Sequence, residues 1–206
     1  IAVTGFILAG ALMEASGITE KIVEVVSKFV GHLTGGHAIV TILACMFFAA
    51  ISGSGPATTA AVGSLMIPAM IRARYSRDFA GAVASSGGTL GIMIPPSNPM
   101  IIYGVIANQS ITKLFMAGFI PGLFLGGLLA GTAYLVSRRK GFTGTGQKFS
   151  LRLALKTLNE GKWALLSPVI ILGGIYAGIF TPVEAAEVAC LYSLVVGVFI
   201  YKRLKL

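Results

Sequence analysis

A chain of 206 residues with 55% hydrophobic and only 11% charged residues is too apolar for a soluble domain, in which about a quarter of the residues carry a charge. The formal net charge of +9 does not indicate a nucleic-acid partner, because the basic residues lie in short runs between apolar stretches. These runs are Arg72, Arg74 and Arg77, then Arg138, Arg139 and Lys140, then Lys202, Arg203 and Lys205. This is the positive-inside pattern of an all-α integral membrane protein.

The first 37 residues predict a truncated span followed by an amphipathic helix. Residues 1–13 are apolar, and Lys21, Glu24 and Lys28 then recur at helical spacing among valines and isoleucines. This pattern favours an arm helix that lies along the membrane interface, with a soluble helix packed on a core as the alternative. Because the sequence begins inside an apolar stretch and without Met, we expect it to be part of a longer chain.

Residues 38–72 predict a helical hairpin. Two apolar segments, 38–51 and 57–71, flank a Ser-Gly-Ser-Gly-Pro break at 52–56. Each segment is shorter than the about 20 residues of a full crossing, and both together are too long for one crossing, even a tilted one. We therefore expect a re-entrant hairpin that enters and leaves on one face of the membrane.

A second interrupted stretch follows at 79–107. Its break is the Pro-Pro-Ser-Asn-Pro run at 95–99, and it predicts one discontinuous transmembrane helix. Further on we expect a full span at 114–136, a second amphipathic arm at 150–162, and two spans at 164–179 and 183–201. With a re-entrant hairpin, every basic cluster falls on the cytoplasmic side and Lys113 alone lies outside, which the charge rule favours.

The two breaks carry the chemistry that we expect of this chain. Each proline lacks the N–H that would pair with the carbonyl four residues earlier. The carbonyls of Ser52, Gly91, Ile92 and Pro95 should therefore be free. Unpaired polar groups are costly in lipid, so such breaks line a wet cavity or bind an ion. The residues that we predict to bind Na⁺ are Ser52, Gly53, Ser54, Gly88, Gly91, Ile92 and Pro95; ordered water is the alternative occupant.

The same breaks create helix N-termini, which attract anions. One half-helix should begin near Pro56 with Ser54 or Gly55 as its cap, and another near Pro99 with Ser97 or Asn98 as its cap. The residues that we predict to bind the substrate are Thr58, Thr89, Ser97 and Asn98. The alternative interpretation is simple helix packing, since small residues and prolines are common in membrane helices.

The other motifs in the sequence are weaker indications of function. Glu184 could be an ion ligand, but the run Thr181-Pro182-Val183-Glu184 is typical of a capping box. The sequence shows no nucleophile–base arrangement, phosphate-binding loop or metal motif, so we do not expect an enzyme. Without an ATP-hydrolysing signature, uphill transport would need an ion gradient.

Several motifs together resemble a known family. The runs FFAAISGSGPAT (47–58) and GIMIPPSNPMIIYG (91–104) resemble the first hairpin and the broken helix of the large membrane subunit of TRAP (tripartite ATP-independent periplasmic) transporters. FILAG (6–10), FMAGFIPG (115–122) and GIFTPVEAA (178–186) resemble further signatures of that subunit. The resemblance extends over essentially the whole chain.

The resemblance implies a sodium-driven, elevator-type importer of organic acids such as C4-dicarboxylates or sialic acids in the bacterial inner membrane. Its partners would be a small membrane subunit and a periplasmic substrate-binding protein. Residues 38–108 would form the moving transport domain, and 1–37 and 109–206 would form scaffold and linkers. The family's subunit has two inverted repeats and is roughly twice as long, so the second hairpin is missing here.

Two other functions stay open at this point. One is a related sodium–dicarboxylate symporter that works without a binding protein. The other is a structural or channel-like membrane subunit with no coupled ion.

Overall fold

The computed structural model describes residues 1–144, 146 and 149–204, and every regular element among these residues is helical. Lys205 of the last basic cluster lies outside the described residues. The elements are α1 (Ala2–Ala15), α2 (Ile18–Val30), α3 (Gly36–Ser52), α4 (Gly55–Arg72), α5 (Arg77–Gly88), α6 (Leu90–Met93), α7 (Asn98–Ile106), α8 (Ile111–Arg139), α9 (Leu151–Tyr176) and α10 (Pro182–Val195), the last continued by a π-helical turn at Val196–Ile200.

Three segments within the described part of the chain are long and apolar enough to cross a membrane: Arg77–Ile106, Ile111–Arg139 and Pro182–Ile200. A fourth arises if α1 and α2, which meet at an angle of 67°, count as one bent span. The chain is therefore a multi-pass α-helical membrane protein, as its composition predicts. The predicted break in the span Arg77–Ile106 is present, because residues 94–97 separate α6 from α7.

The amphipathic pattern of residues 18–30 forms a separate helix, as predicted. Ser16 ends α1, and Gly17 begins α2 with a φ of +79°, a conformation that suits glycine. Ile18, Ile22 and Val25 form the buried face of α2, while Lys21 and Glu24 pair at 2.7 Å on the other side. The location of this helix at the membrane interface stays a prediction.

Helices α3 and α4 form a hairpin whose tip is Gly53 and Ser54. Gly53 has a φ of +61° and ends α3 in the left-handed conformation that makes a tight reversal easy for glycine. At the opposite end, the Thr41 hydroxyl lies 3.9 Å from the Met70 sulfur, so the start of α3 lies beside the end of α4. The hairpin itself is thus confirmed, whereas its re-entry into a membrane stays a prediction.

An aromatic junction of His37, Tyr75, Phe79 and Phe142 lies at the open end of the hairpin. The ring of Tyr75 is centred 5.8 Å from that of His37 and stacks on Phe142 at 4.2 Å. The Tyr75 hydroxyl donates to the Thr143 carbonyl at 3.2 Å, and burial raises the pKa of this phenol. The junction brings the two basic runs beside Tyr75 and Phe142 to the same end of the molecule, as the positive-inside pattern requires.

Helix α8 packs against the broken span, and a row of its glycines lies at the contact. A Cβ at Gly122 would lie 2.8 Å from Ile94, and one at Gly126 would lie 2.5 Å from the Met46 sulfur. Spacing of four residues places such glycines on one face of a helix, which allows close approach of a neighbour. This packing holds the break between α6 and α7 against α8 and α3.

One prediction about the last third of the chain is wrong. We expected an arm at 150–162 and a separate span at 164–179, but α9 is one continuous helix, Leu151–Tyr176. Lys162 and Trp163 change the polarity of the surface but leave the backbone hydrogen bonds intact, so nothing interrupts the helix there. The charge-free part of α9 is shorter than a full span, and α9 is not among the candidate spans.

The interpretation of Glu184 as part of a capping box is confirmed. Thr181 N donates to the Glu184 carboxylate at 2.7 Å, and Glu184 N donates to the Thr181 hydroxyl at 3.3 Å. Both bonds of a capping box are present at the start of α10, with Pro182 in its first turn. The carboxylate therefore has a structural role at this helix end.

The aromatic junction predicts a stability effect. Tyr75→Ala should destabilise the complete subunit by about 3 kcal/mol, because truncating a buried aromatic ring leaves a cavity. Tyr75→Phe should cost about 1 kcal/mol, since it removes one hydroxyl bond. Thermal unfolding in detergent measures both. Tyr134→Ala, on the exposed side of α8, is the matched control, and equal losses for Tyr75→Ala and Tyr134→Ala would contradict the prediction.

Candidate functional site

The tips of the two predicted breaks touch each other. The backbone N–H of Asn98, which begins α7, donates to the carbonyl of Gly53 at the tip of the hairpin, at 3.0 Å. A Cβ at Gly53 would lie 2.6 Å from the Pro96 carbonyl oxygen, so only glycine fits here. The two breaks therefore form one cluster, as the prediction of a shared site requires.

Glycines on the broken span let the hairpin pack directly on its backbone. A Cβ at Gly91 would lie 2.6 Å from both the Ser54 carbonyl and the Thr58 hydroxyl, and one at Gly88 would clash with Thr59. These glycines allow close packing between the broken span and the hairpin. The polar atoms of the hairpin tip consequently lie against the backbone of α5 and α6.

The polar side chains of this cluster are deeply buried. Ser52, Thr58 and Ser97 are fully buried, and Asn98 is 7% exposed. The side-chain oxygen of Asn98 has no hydrogen-bond partner among the described residues. A buried polar atom without a partner costs free energy, so this oxygen is the clearest open ligand position in the cluster.

The buried hydroxyls of Ser52, Thr58 and Ser97 already donate their protons to protein atoms. Thr58 donates to the Ser54 carbonyl at 2.8 Å, so the 3.1 Å contact between Ser52 and Thr58 uses the Ser52 proton. Ser97 donates to the Ile92 carbonyl at 2.7 Å. Since a hydroxyl carries one proton and two lone pairs, these oxygens can still coordinate a cation but have no proton left for an anion.

Three of the four carbonyls that we expected to be free lack a donor. The carbonyls of Ser52, Gly91 and Pro95 stand four residues before Pro56, Pro95 and Pro99, and no donor from elsewhere in the described residues reaches them. The prediction for Ile92 is wrong, because the Ser97 hydroxyl occupies that carbonyl. A side-chain hydroxyl within the break thus takes the place of the backbone N–H that proline lacks.

Two other predicted sodium ligands have donors as well. The carbonyl of Gly53 accepts from Asn98, and that of Ser54 accepts from both the amide and the hydroxyl of Thr58. Gly88 contributes close packing. Ser52, Gly91 and Pro95 therefore lack the kind of donor that occupies the carbonyls of Gly53, Ser54 and Ile92.

The two helices that begin in the cluster, α4 and α7, have the predicted serine caps. Ser54 caps α4 by accepting from Ala57 N at 3.4 Å, and Ser97 caps α7 by accepting from Met100 N at 3.4 Å. A proline stands in the first turn of each helix. Both N-termini lie in the cluster, and the electrostatic field of a helix start favours negative charge there.

Thr89 is not brought into the cluster. Its side chain is exposed between α5 and α6, and its hydroxyl donates to the Ser86 carbonyl at 2.7 Å. A role of Thr89 in substrate binding stays a prediction.

Helix α1 also contributes to the cluster, which the sequence did not predict. Helix α1 covers the hairpin tip, because a Cβ at Gly10 would lie 3.1 Å from that of Ser52. The small residues Ala9 and Gly10 within an apolar helix were the available signal. Contacts between α1 and a residue so distant in sequence cannot be read from local pattern.

The ligand chemistry of the cluster is oxygen-based and uncharged. No group of three or more His, Cys, Asp or Glu side chains among the described residues could hold a metal ion. Main-chain carbonyls, hydroxyls and an amide oxygen suit a hard cation rather than a transition metal.

Comparison with known proteins identifies the group to which this architecture belongs. Residues 1–206 match the family described as "Tripartite ATP-independent periplasmic transporter, DctM component". The chain is 48% identical over 99% of its length to the isethionate TRAP transporter permease protein DctMQ of Oleidesulfovibrio alaskensis, of which it covers 32%. It is 46% identical over its full length to the C4-dicarboxylate TRAP transporter large permease protein DctM of Pseudomonas aeruginosa, of which it covers 48%.

The sialic acid TRAP transporter large permease protein SiaM of Vibrio cholerae is 43% identical over the full chain, which covers 48% of it. The chain thus spans about half the length, or less, of these relatives. They are transporter permeases and not enzymes, in agreement with the sequence analysis. The chain belongs to the DctM family of tripartite ATP-independent periplasmic transporters, as the motifs in and around its two helix breaks had indicated.

Proposed function

We propose that this chain is part of a large membrane subunit that imports organic acid anions by coupling their transport to Na⁺. The single observation that carries the proposal is the hydrogen bond between Asn98 N and the Gly53 carbonyl. It joins two interrupted helices at one point, and interrupted helices that meet are the usual place for ion and substrate sites in secondary transporters.

The hydrogen-bond directions favour a cation at this point. The hydroxyls of Ser52, Thr58 and Ser97 have only lone pairs to offer, and the Asn98 side-chain oxygen has no partner among the described residues. Sodium bound to such oxygens would remove the cost of leaving them unpaired in a buried site. Ser52, Gly91 and Pro95 could add main-chain oxygens.

Recognition of the anion would use different atoms. Because the protons of the three buried hydroxyls are engaged, a carboxylate would depend on the N-termini of α4 and α7, on the Ser54 hydroxyl and on the Asn98 side-chain amide. The relatives include permeases for C4-dicarboxylates, sialic acid and isethionate. All three are organic anions, so we propose a small organic acid as the substrate of this chain.

Movement and partners complete the proposal. We propose that residues 38–108 move as a transport domain against a scaffold made by the rest, with α3 and α4 re-entering the membrane from the cytoplasmic side. A small membrane subunit and a periplasmic binding protein would act with the complete subunit in the bacterial inner membrane. The name DctMQ of one relative supports the first partner.

Sodium dependence is the direct test. The complete subunit, reconstituted in liposomes with its small subunit and binding protein, should take up radiolabelled succinate or sialic acid only with external Na⁺. Asn98→Ala should raise the sodium concentration for half-maximal uptake about tenfold or more, because a bond to a charged group contributes about 1.5–3 kcal/mol.

Asn159→Ala, an exposed asparagine on α9, is the matched control and should leave the sodium dependence unchanged. Uptake that is equally fast with K⁺ in place of Na⁺ refutes the coupling. Uptake that needs sodium but no binding protein would instead assign the chain to the binding-protein-independent symporters, and the absence of any uptake with Na⁺ and all partners would favour a scaffold subunit.

The re-entrant hairpin has a separate test. With Cys45 and Cys190 replaced, single cysteines at Thr34 and Asp78 should both react with a membrane-impermeant maleimide from the cytoplasmic side. A cysteine at Gln109 should react from the opposite side. Labelling of Thr34 and Asp78 positions from different sides would show that the hairpin crosses the membrane.

A further inference from the structure

An apolar groove lies beside the hairpin and is separate from the site at its tip. It has a volume of about 610 Å³ and is bounded by α3, α8 and α9, with Leu43, Phe47, Leu123 and Leu172 in its walls. A smaller cavity of about 250 Å³ shares Leu43, Phe47 and Leu165 and continues the groove towards α2. The Tyr176 hydroxyl is the one polar side-chain group among the described residues that line the larger part.

The wall formed by α9 is an apolar stripe with a lysine beside it. Leu158, Leu165, Val169, Leu172 and Tyr176 line the two cavities. Lys162 lies one helical turn from both Leu158 and Leu165, at the edge of this stripe. It is outside the lining of both cavities, near the end of the groove towards α2.

Lys162 is available for a ligand. Its side chain is exposed, its ammonium lies 5.6 Å from the centre of the Trp163 ring, and it pairs with no acidic residue in the described part of the chain. Tryptophan and lysine side by side are typical of the boundary between lipid tails and headgroups.

The dimensions of the groove suit an alkyl chain. Leu165 and Tyr176 lie about 17 Å apart along α9, close to the roughly 15 Å depth of one leaflet of the hydrocarbon core. A single alkyl chain fits both the width and the length of the groove.

We propose that this groove binds one acyl chain of an anionic glycerophospholipid, whose phosphate lies at Lys162. Lipid tails are as apolar as the groove wall, so burial of the chain gives little selectivity over the surrounding bilayer. The preference for one lipid over another must come from the charge at Lys162. One lysine near an anionic lipid surface corresponds to about a fivefold preference.

The test measures which lipid the purified complex retains. The complete subunit with its small subunit is exchanged into detergent containing equal amounts of phosphatidylglycerol and phosphatidylcholine, and retained lipid is counted by native mass spectrometry. We expect about fivefold more phosphatidylglycerol. Lys162→Gln should abolish this preference, and Leu172→Trp should lower retention of both lipids by filling the groove.

Matched controls separate the groove from general surface effects. Lys156→Gln lies on the same helix but off the stripe, and Leu135→Trp lies on the exposed side of α8; both should behave as the unmodified protein. Should Leu172→Trp fail to fold, Lys162→Gln still tests the charge. Equal retention of the two lipids by the unmodified protein, or equal loss in Lys162→Gln and Lys156→Gln, overturns the proposal.

A photoreactive amino acid in place of Val169 identifies the occupant directly. A crosslink to phosphatidylglycerol supports the proposal. A crosslink to another polypeptide segment, from the remainder of the subunit or from a partner, shows that the groove is a protein interface and overturns it. The outcome is independent of sodium coupling, because Lys162, Val169 and Leu172 all lie on α9, outside the site at the hairpin tip.

Discussion

The hydrogen bond from Asn98 N to the Gly53 carbonyl is the contact on which the candidate site depends. Helices in a membrane satisfy their own backbone groups, and an interrupted helix must find partners elsewhere. Here each interruption supplies a partner to the other. The absence of a side chain at Gly53 permits the approach, and Gly88 and Gly91 extend it along the broken span. Without these glycines the two tips could not share one cluster.

The site has a fixed electrostatic polarity, because the protons of its buried hydroxyls are already donated to protein atoms. Every buried hydroxyl at the tip donates inward, to the carbonyl of Ser54, to Thr58 or to the carbonyl of Ile92. The remaining lone pairs and the unpartnered Asn98 oxygen give the centre negative polarity, while the starts of α4 and α7 provide positive polarity beside it. A cation and an anion could thus occupy neighbouring positions without a single charged side chain.

Local chemistry explains which features could be predicted from sequence. Proline without an N–H, serine before a helix and the Thr181–Glu184 pair each act within a few residues, so the breaks, the caps and the capping box were all predictable. The charge pattern likewise indicated that both ends of the hairpin lie together. These signals do not depend on the rest of the fold.

The errors arose where two local tendencies compete or where distant segments meet. The Ser97 hydroxyl could cap α7 and also reach Ile92, and it does both. A change of polarity at Lys162 indicated a boundary, but an uninterrupted hydrogen-bond ladder continues α9 through it. The cover that Gly10 provides over Ser52 joins residues far apart in the chain, and no local pattern reports such a contact.

The aromatic junction has a consequence for biosynthesis. Tyr75 stacks on Phe142, which the ribosome adds long after the hairpin is complete. The hairpin tip likewise waits for Asn98. A nascent chain that ends before residue 98 lacks the donor to the Gly53 carbonyl, and one that ends before residue 142 lacks the ring that stacks on Tyr75. The contacts of the hairpin are therefore complete only after the chain has been synthesised through α8 and the residues that follow it.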